Sequence, residues 1–203
     1  MPLLFTQTIG DAVLGIWSKQ ETAEQLLPMI DLCDADKAVY EQIGNDRRRT
    51  EWLTTRIVLR ELLNRDVTIA HDSNSKPYIA ENKSFISISH SKNMVAVMVA
   101  EQNLGIDIEQ ITARTTKVRH KFLTGNELDW CKTDTEHTLV WTVKEAAYKL
   151  IGCGLEHTEV EIEENPNFVQ VADYNVVIRK NAPVSKNCHS QLIGDNILSY
   201  IIG

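Results

Sequence analysis

Three short runs between Phe85 and Glu109 constrain this chain more than any other stretch. Phe85 to His90 alternates, with Ile86 and Ile88 on one face and Ser87 and Ser89 on the other, which is the period of a half-buried strand. Met94 to Ala100 is a nearly continuous apolar run, and Leu104 to Glu109 again reads as a strand. The polar Glu101-Gln102-Asn103 between the last two predicts a turn that folds them into a hairpin.

Helical periodicity flanks this block. From Thr50 to Leu63, Trp52, Leu59 and Leu63 recur on one side while Arg49, Arg56 and Arg60 form a basic stripe on another. After a polar connection from Gln110 to Thr116, a mixed helical stretch leads through Phe122 to a cap or turn at Thr124-Gly125. A second long helix is predicted over about Thr138 to Leu150, ended by Gly152 and Gly154, with short strands at Phe168 to Val171, Val176 to Ile178 and Ile197 to Ile202. Each half therefore reads as a helix on a small sheet. We divide the chain into subdomains at 1–105 and 106–203, although no repeat or low-complexity linker marks the boundary.

The hydrophobic content of 43% supports a folded core, and the net charge of −7 disfavours a general nucleic-acid binder. Cys33, Cys131, Cys153 and Cys188 are scattered without CxxC spacing and read as free thiols. The first residues lack a basic flank and a long apolar segment, so no signal peptide or membrane span is expected and the location expected is cytoplasmic.

Two carboxylates open the question of chemistry. In Gly105-Ile106-Asp107-Ile108-Glu109 the strand period sends Asp107 and Glu109 to one face, roughly 7 Å apart at the backbone, with Ile106 and Ile108 toward the core. Such a pair is either a solvated strand edge or a hard-oxygen site for magnesium, which relieves the repulsion between the acids. In the helix, Trp141, Glu145 and Lys149 share a face at i, i+4 and i+8. Glu145 and Lys149 are then either a surface ion pair or a third acid and a cation aimed into one site, with Lys144 packed or paired at the rim. Ser89-His90-Ser91 is not a nucleophilic triad, because adjacent strand residues face opposite ways. With Lys76, these residues suit a phosphate-binding rim, whereas His90 alone also fits a hydrogen-bonded strand end. Arg47-Arg48-Arg49 fits a solvated basic face as well as an anion site.

In order along the chain, Lys76-Pro77, Phe85 to Ser91, Gly105 to Glu109 and Trp141 to Lys149 resemble the signature of the 4'-phosphopantetheinyl transferase superfamily, in its single-chain Sfp-type form. That resemblance spans roughly residues 47 to 150. It implies an α+β fold of two similar α/β subdomains in a pseudo-twofold arrangement, each a helix packed on a small, mostly antiparallel sheet. The implied activity is that of a holo-[acyl-carrier-protein] synthase type enzyme, moving phosphopantetheine from coenzyme A to a serine of an apo acyl or peptidyl carrier protein and releasing adenosine 3',5'-bisphosphate.

Carried over position by position, the resemblance implies that Asp107, Glu109 and Glu145 hold magnesium, with manganese as a substitute. Lys76, Ser89 and His90 would face the 3'-phosphate of coenzyme A, with Arg47 and Arg56 as additions. Glu145, or a water it orients, would take the serine proton, and Lys149 would offset charge on the departing phosphate. Ser75 stands where the family often has glycine and Ser87 where asparagine is common, and the chain after Gly154 matches weakly. Glu127 is either a fourth acid near the metal or a structural helix residue. A monomer is expected. The alternatives are a magnesium-dependent nucleotide pyrophosphohydrolase and a non-catalytic coenzyme A or carrier-protein binding module.

Overall fold

The computed structural model describes residues 3–152 and 154–203. The first half begins with strands β1 (Leu3–Ile9) and β2 (Ala12–Ser18), followed by helices α1 (Ala23–Leu26), α2 (Asp34–Gln42) and α3 (Asp46–Leu63). It continues through β3 (Ile69–His71), β4 (Pro77–Ile79), β5 (Phe85–His90) and β6 (Met94–Ala100). The second half runs from β7 (Leu104–Gln110) through α4 (Ala113–Val118), α5 (Glu127–Trp130) and α6 (Asp134–Ile151) to β8 (Val160–Ile162), β9 (Val171–Ile178), β10 (Val184–Ile193) and β11 (Asn196–Ile202).

Among the described residues two antiparallel sheets result, in the orders β1-β2-β6-β5-β4-β3 and β7-β11-β10-β9-β8. The α+β architecture expected from the sequence is the one observed, with one 18-residue helix packed on each sheet. Alternation along the strands builds three cores. Val95, Val97 and Val99 of β6 face α3 with Ile86, and meet its Leu53, Ile57 and Val58. Met94, Ala96 and Met98 point the other way, where they join Leu14 and Ile16 of β2, Ile106 and Ile108 of β7, and Leu198 of β11 between the sheets. Ile197 and Ile201 of β11 pack with Val143, Ala146 and Leu150 beneath α6. The layers therefore run α3, first sheet, second sheet, α6. All seven residues of β6 are buried because it has a layer on each face, and each large aliphatic side chain so buried contributes about 1.5–3 kcal/mol.

Local signals set the helices. The Asn45 side chain accepts from the Arg48 amide at the start of α3, and Asn64 takes the left-handed conformation (φ 51°) that stops it. Thr133 and Glu136 form a capping box before α6, which moves its start four residues ahead of the expected Thr138. Gly152, at φ +89°, ends it as anticipated.

The predicted hairpin of Met94–Ala100 with Leu104–Glu109 does not form. Both edges of β6 are taken, by β2 and β5, and β7 pairs instead with β11 in the other sheet. The other edge of β7 is satisfied by side chains: the Ile106 amide donates to Ser87 Oγ at 3.0 Å and the Ile108 amide to Ser89 Oγ at 3.2 Å. Ser87 and Ser89 thus lie in a buried seam between the sheets. The strand placed at Phe168 to Val171 instead begins at Val171 and continues to Ile178, and helix α4 occupies part of the expected polar connection.

Two glycines let the helices approach. A Cβ on Gly105 in β7 would lie 1.9 Å from the Ala146 carbonyl oxygen of α6. A Cβ on Gly15 in β2 would meet the Val58 Cγ1 of α3 at 2.8 Å. Lys144 is also not a rim residue. It is wholly buried, donates to the Phe122 carbonyl at 2.6 Å and to Glu127 Oε2 at 2.7 Å, and so roots α6 in the loop before α5. Glu127 accepts in addition from the amides of Thr124 and Ile162, both at 3.0 Å, which settles it as a structural acid. Among the described residues Cys33, Cys131 and Cys188 are free thiols, whereas Cys153 lies outside them. No helix among the described residues is long and apolar enough to cross a membrane.

Gly105→Ala is expected to lower unfolding free energy by on the order of 3 kcal/mol, because the obstacle is backbone, whereas Gly15→Ala meets movable side-chain atoms and costs less. Urea denaturation of the two variants tests the order. Removing either partner of the buried pair, as in Lys144→Met or Glu127→Leu, should cost about 3–5 kcal/mol, with the double variant costing less than the sum. A double-mutant cycle by the same denaturation measures that coupling.

Candidate functional site

The site forms where β7 crosses β5 beneath α6. Asp107 is 4% exposed, and its Oδ1 accepts from Ser89 Oγ at 2.6 Å and from Lys149 Nζ at 2.8 Å. Its other oxygen, Oδ2, is buried without a hydrogen-bond partner. A buried, unpaired carboxylate oxygen is costly, so this atom marks a place for a cation or other donor. Lys149 also donates to the Ile106 carbonyl at 2.9 Å, which fixes its head against the strand.

Glu109 lies two residues along on the same face. Burial pushes its carboxyl above the usual range and the Asp107 charge adds to the effect, while Arg114, the Trp141 indole and Lys149 oppose it. The helical face expected from the sequence is therefore laid along β7, with Lys149 at Asp107 and Trp141 near Glu109. Glu145 falls between them on α6, yet its Oε1 is bound to His157 Nε2 at 2.7 Å. Among the described residues no three acids are gathered at metal-ligand spacing. The donor chemistry nonetheless fits a hard divalent cation: Asp107 offers an unpaired oxygen, Glu109 is strained by its acidic neighbour, and Glu145 is the next carboxylate on the facing helix.

The residues expected to face one phosphate are divided between clefts. Lys76 lines a cleft of about 230 Å³ with Pro77, Ser87, Tyr148 and Lys149, and is tied to Asn103 and, at 3.0 Å, to the Leu150 carbonyl. Arg47 and His90 line a different cleft of about 280 Å³, which also contains Glu109 and Arg114. Ser89 is buried in the seam and faces neither cleft directly. Arg56 stacks 3.3 Å above the Trp52 ring centroid and pairs with Asp36 at 2.9 Å, so it is engaged within the first half. Arg47 pairs with Glu51 at 2.9 Å, and Lys19 reaches the same carboxylate at 3.3 Å. Sequence reasoning did not single out His157, Arg114 or Lys19. Only spatial proximity identifies them, because none recurs at a period tied to the acids.

His90 stands 3.2 Å from Thr55 Oγ1, and burial lowers its pKa to about 4 against the opposing pull of Glu51, with Lys19, Lys149 and Arg47 lowering it further. It is therefore a neutral hydrogen-bonding group at pH 7. Because the folded pKa lies below the unfolded one, the unfolded state binds the extra proton first, and stability falls as pH drops from about 6.5 to about 4. The loss approaches about 3 kcal/mol at the acid end of that window. His90→Gln should lose less stability than the parent between pH 7 and pH 4.5, as read from urea midpoints at each pH.

Residues 103–193 match the family model described as the 4'-phosphopantetheinyl transferase superfamily. The chain is 30% identical over 98 residues to the 4'-phosphopantetheinyl transferase gsp of Aneurinibacillus migulanus, covering 45% of this chain and 41% of that protein. It is 26% identical over 148 residues to the 4'-phosphopantetheinyl transferase psf-1 of Bacillus pumilus, covering 66% of this chain and 63% of that one. The matched regions thus span less than two thirds of either relative. Residues 103–193, the stretch similar to the 4'-phosphopantetheinyl transferase superfamily, include β7 and α6, the two elements that carry the acids.

Proposed function

We propose that this chain transfers the 4'-phosphopantetheine arm of coenzyme A to a serine of an apo acyl or peptidyl carrier protein, with magnesium or manganese as cofactor. The observation that carries the reading is the buried, unpartnered Oδ2 of Asp107, whose other oxygen accepts from Ser89 and Lys149, in the segment similar to the family. On this reading Asp107, Glu109 and Glu145 would hold a divalent cation, which would supply positive charge against the negative charge developing on the phosphate.

The chain's own groups do the rest. Lys149, fixed against β7, supplies a positive charge beside the departing phosphate. Glu145, or a water it orients, accepts the proton as the carrier serine oxygen bonds to the β-phosphorus. The bond from that phosphorus to the bridging oxygen breaks, and adenosine 3',5'-bisphosphate leaves. Lys76 and Lys149 at one cleft, and Arg47 with neutral His90 at the other, give coenzyme A donors on both sides of the acids. In this scheme the subdomain of residues 1–105 contributes phosphate donors and that of 106–203 the acids and α6. Both sheets of one chain build the site, which supports a single-chain, Sfp-type enzyme acting as a monomer.

Incubation with coenzyme A, magnesium and a panel of apo carrier proteins should add the mass of one phosphopantetheine arm to at least one carrier. No gain with any carrier counts against the proposal, and release of nucleotide without a carrier points to a pyrophosphohydrolase. Asp107→Asn and Glu145→Gln should each lower transfer by at least about a hundredfold with urea midpoints near the parent's.

A further inference from the structure

Among the described residues the Glu145 carboxylate forms no metal-spaced group with the pair on β7, and a single side chain engages its Oε1. After α6 the chain reverses through Gly152 and Gly154, at φ +89° and +80°, and buries Leu155 in the core beneath the helix. That reversal lays the His157 ring back over α6. The ring is stacked on Trp141 at 4.9 Å between centroids and 12° between planes, and lies parallel to Tyr148 at 6.2 Å. Trp141 is braced in turn by an edge-on contact with Phe122 at 5.3 Å. With its plane fixed by these rings, His157 places Nε2 at 2.7 Å from Glu145 Oε1. A carboxylate only accepts, so Nε2 carries the proton of that bond.

Each acid has its own compensation. Asp107 has Lys149 and Ser89, Glu145 has His157, and Glu109 is half-buried beside Asp107 with the Trp141 indole and Arg114 near it. We propose that His157 is a positioning residue that latches Glu145 away from Asp107 and Glu109, so that a divalent cation gains its third carboxylate only by displacing this hydrogen bond. His157 thereby sets how tightly the cation is held. The inference rests on Glu145 being a cation ligand, as proposed above.

Manganese uptake tests it, measured at fixed pH from the electron paramagnetic resonance signal of the free ion, with the full chain and coenzyme A but no carrier protein. His157→Phe keeps an aromatic ring for Trp141 and Tyr148 but removes the N–H. It should bind manganese about three- to tenfold more tightly, the factor that a hydrogen bond of ordinary net strength makes. His157→Leu, which removes the ring as well, should shift the affinity in the same direction and serves if the Phe variant misfolds. His157→Gln retains a donor and should return the affinity toward the parent's, which a purely structural role for the ring does not predict. Glu145→Gln should weaken uptake. If Glu145→Gln weakens uptake but His157→Phe and His157→Leu leave it unchanged or weaker, the latch is overturned and the ligand assignment stands. If His157→Phe tightens uptake while Glu145→Gln has no effect, the latch is again overturned, since His157 then acts elsewhere. If the parent takes up no manganese beyond coenzyme A alone, the ligand assignment fails and the latch with it.

Discussion

The structure depends on how the edge of β7 that no strand pairs is satisfied. One edge of that strand pairs with β11, and the other would present unpaired amides to the interior. Ser87 and Ser89 accept two of these amide hydrogens in place of a neighbouring strand, so the second sheet can stop at β7 and still pack against the first. The same hydroxyl of Ser89 then donates to Asp107, which joins the architectural seam to the acid that anchors the candidate site. Gly105 completes the arrangement by letting the α6 backbone rest directly on β7, so that the helical residues near the acids are held at short range.

Adjacent residues on α6 perform opposite tasks. Lys144 turns inward to Glu127 and the Phe122 carbonyl, where a charge pair without solvent is tolerated only because Thr124, Ile162 and Phe122 satisfy its remaining valences. Glu145, a helical step of about 100° away, faces the site. A second polar tie lies deeper, where Thr142 and Ser199 share a hydrogen bond at 2.7 Å and Ser199 continues to Ser190 at 2.7 Å. Because Ser199 is the cross-strand partner of Asp107, this chain of hydroxyls fixes α6 against the strand next to the acids. Helix, loop and sheet are thus linked on the side of α6 away from solvent, while the side bearing Glu145 and Lys149 keeps the longer, more adaptable side chains.

Much of this was legible from short-range pattern. Alternation placed Ile106 and Ile108 in the core and Asp107 and Glu109 together, and the i, i+4, i+8 spacing placed Trp141, Glu145 and Lys149 on one face, because both depend only on the repeat of a single element. The hairpin failed because pairing is decided by competition among distant strands: β2, far earlier in sequence, and β5 occupy the two edges of β6. β10 was missed because its polar and charged positions obscure any apolar alternation, although it lies in the middle of its sheet. His157 was invisible for a related reason, since two glycine turns, not a helical period, bring it over Glu145.

The distribution of donors changes how a ligand would have to lie. Lys76, Ser89 and His90 are close in sequence to the same strand system, which made a single phosphate rim attractive. The observed seam instead separates Lys76, beside the last turn of α6, from His90 and Arg47, beside Glu109 and Arg114. Under the proposed function, a diphosphate bound at Asp107 and Glu109 would have one cleft for each of its two arms. Lys149 belongs to the first cleft while touching Asp107, and Glu109 belongs to the second, so the acids bridge the two. His90, held neutral by burial, would contribute direction and hydrogen bonding there, leaving the positive charge to Arg47 and Arg114. On the proposed function the carrier serine would approach over Glu145, the acid on the facing helix, whose carboxylate is bound to His157.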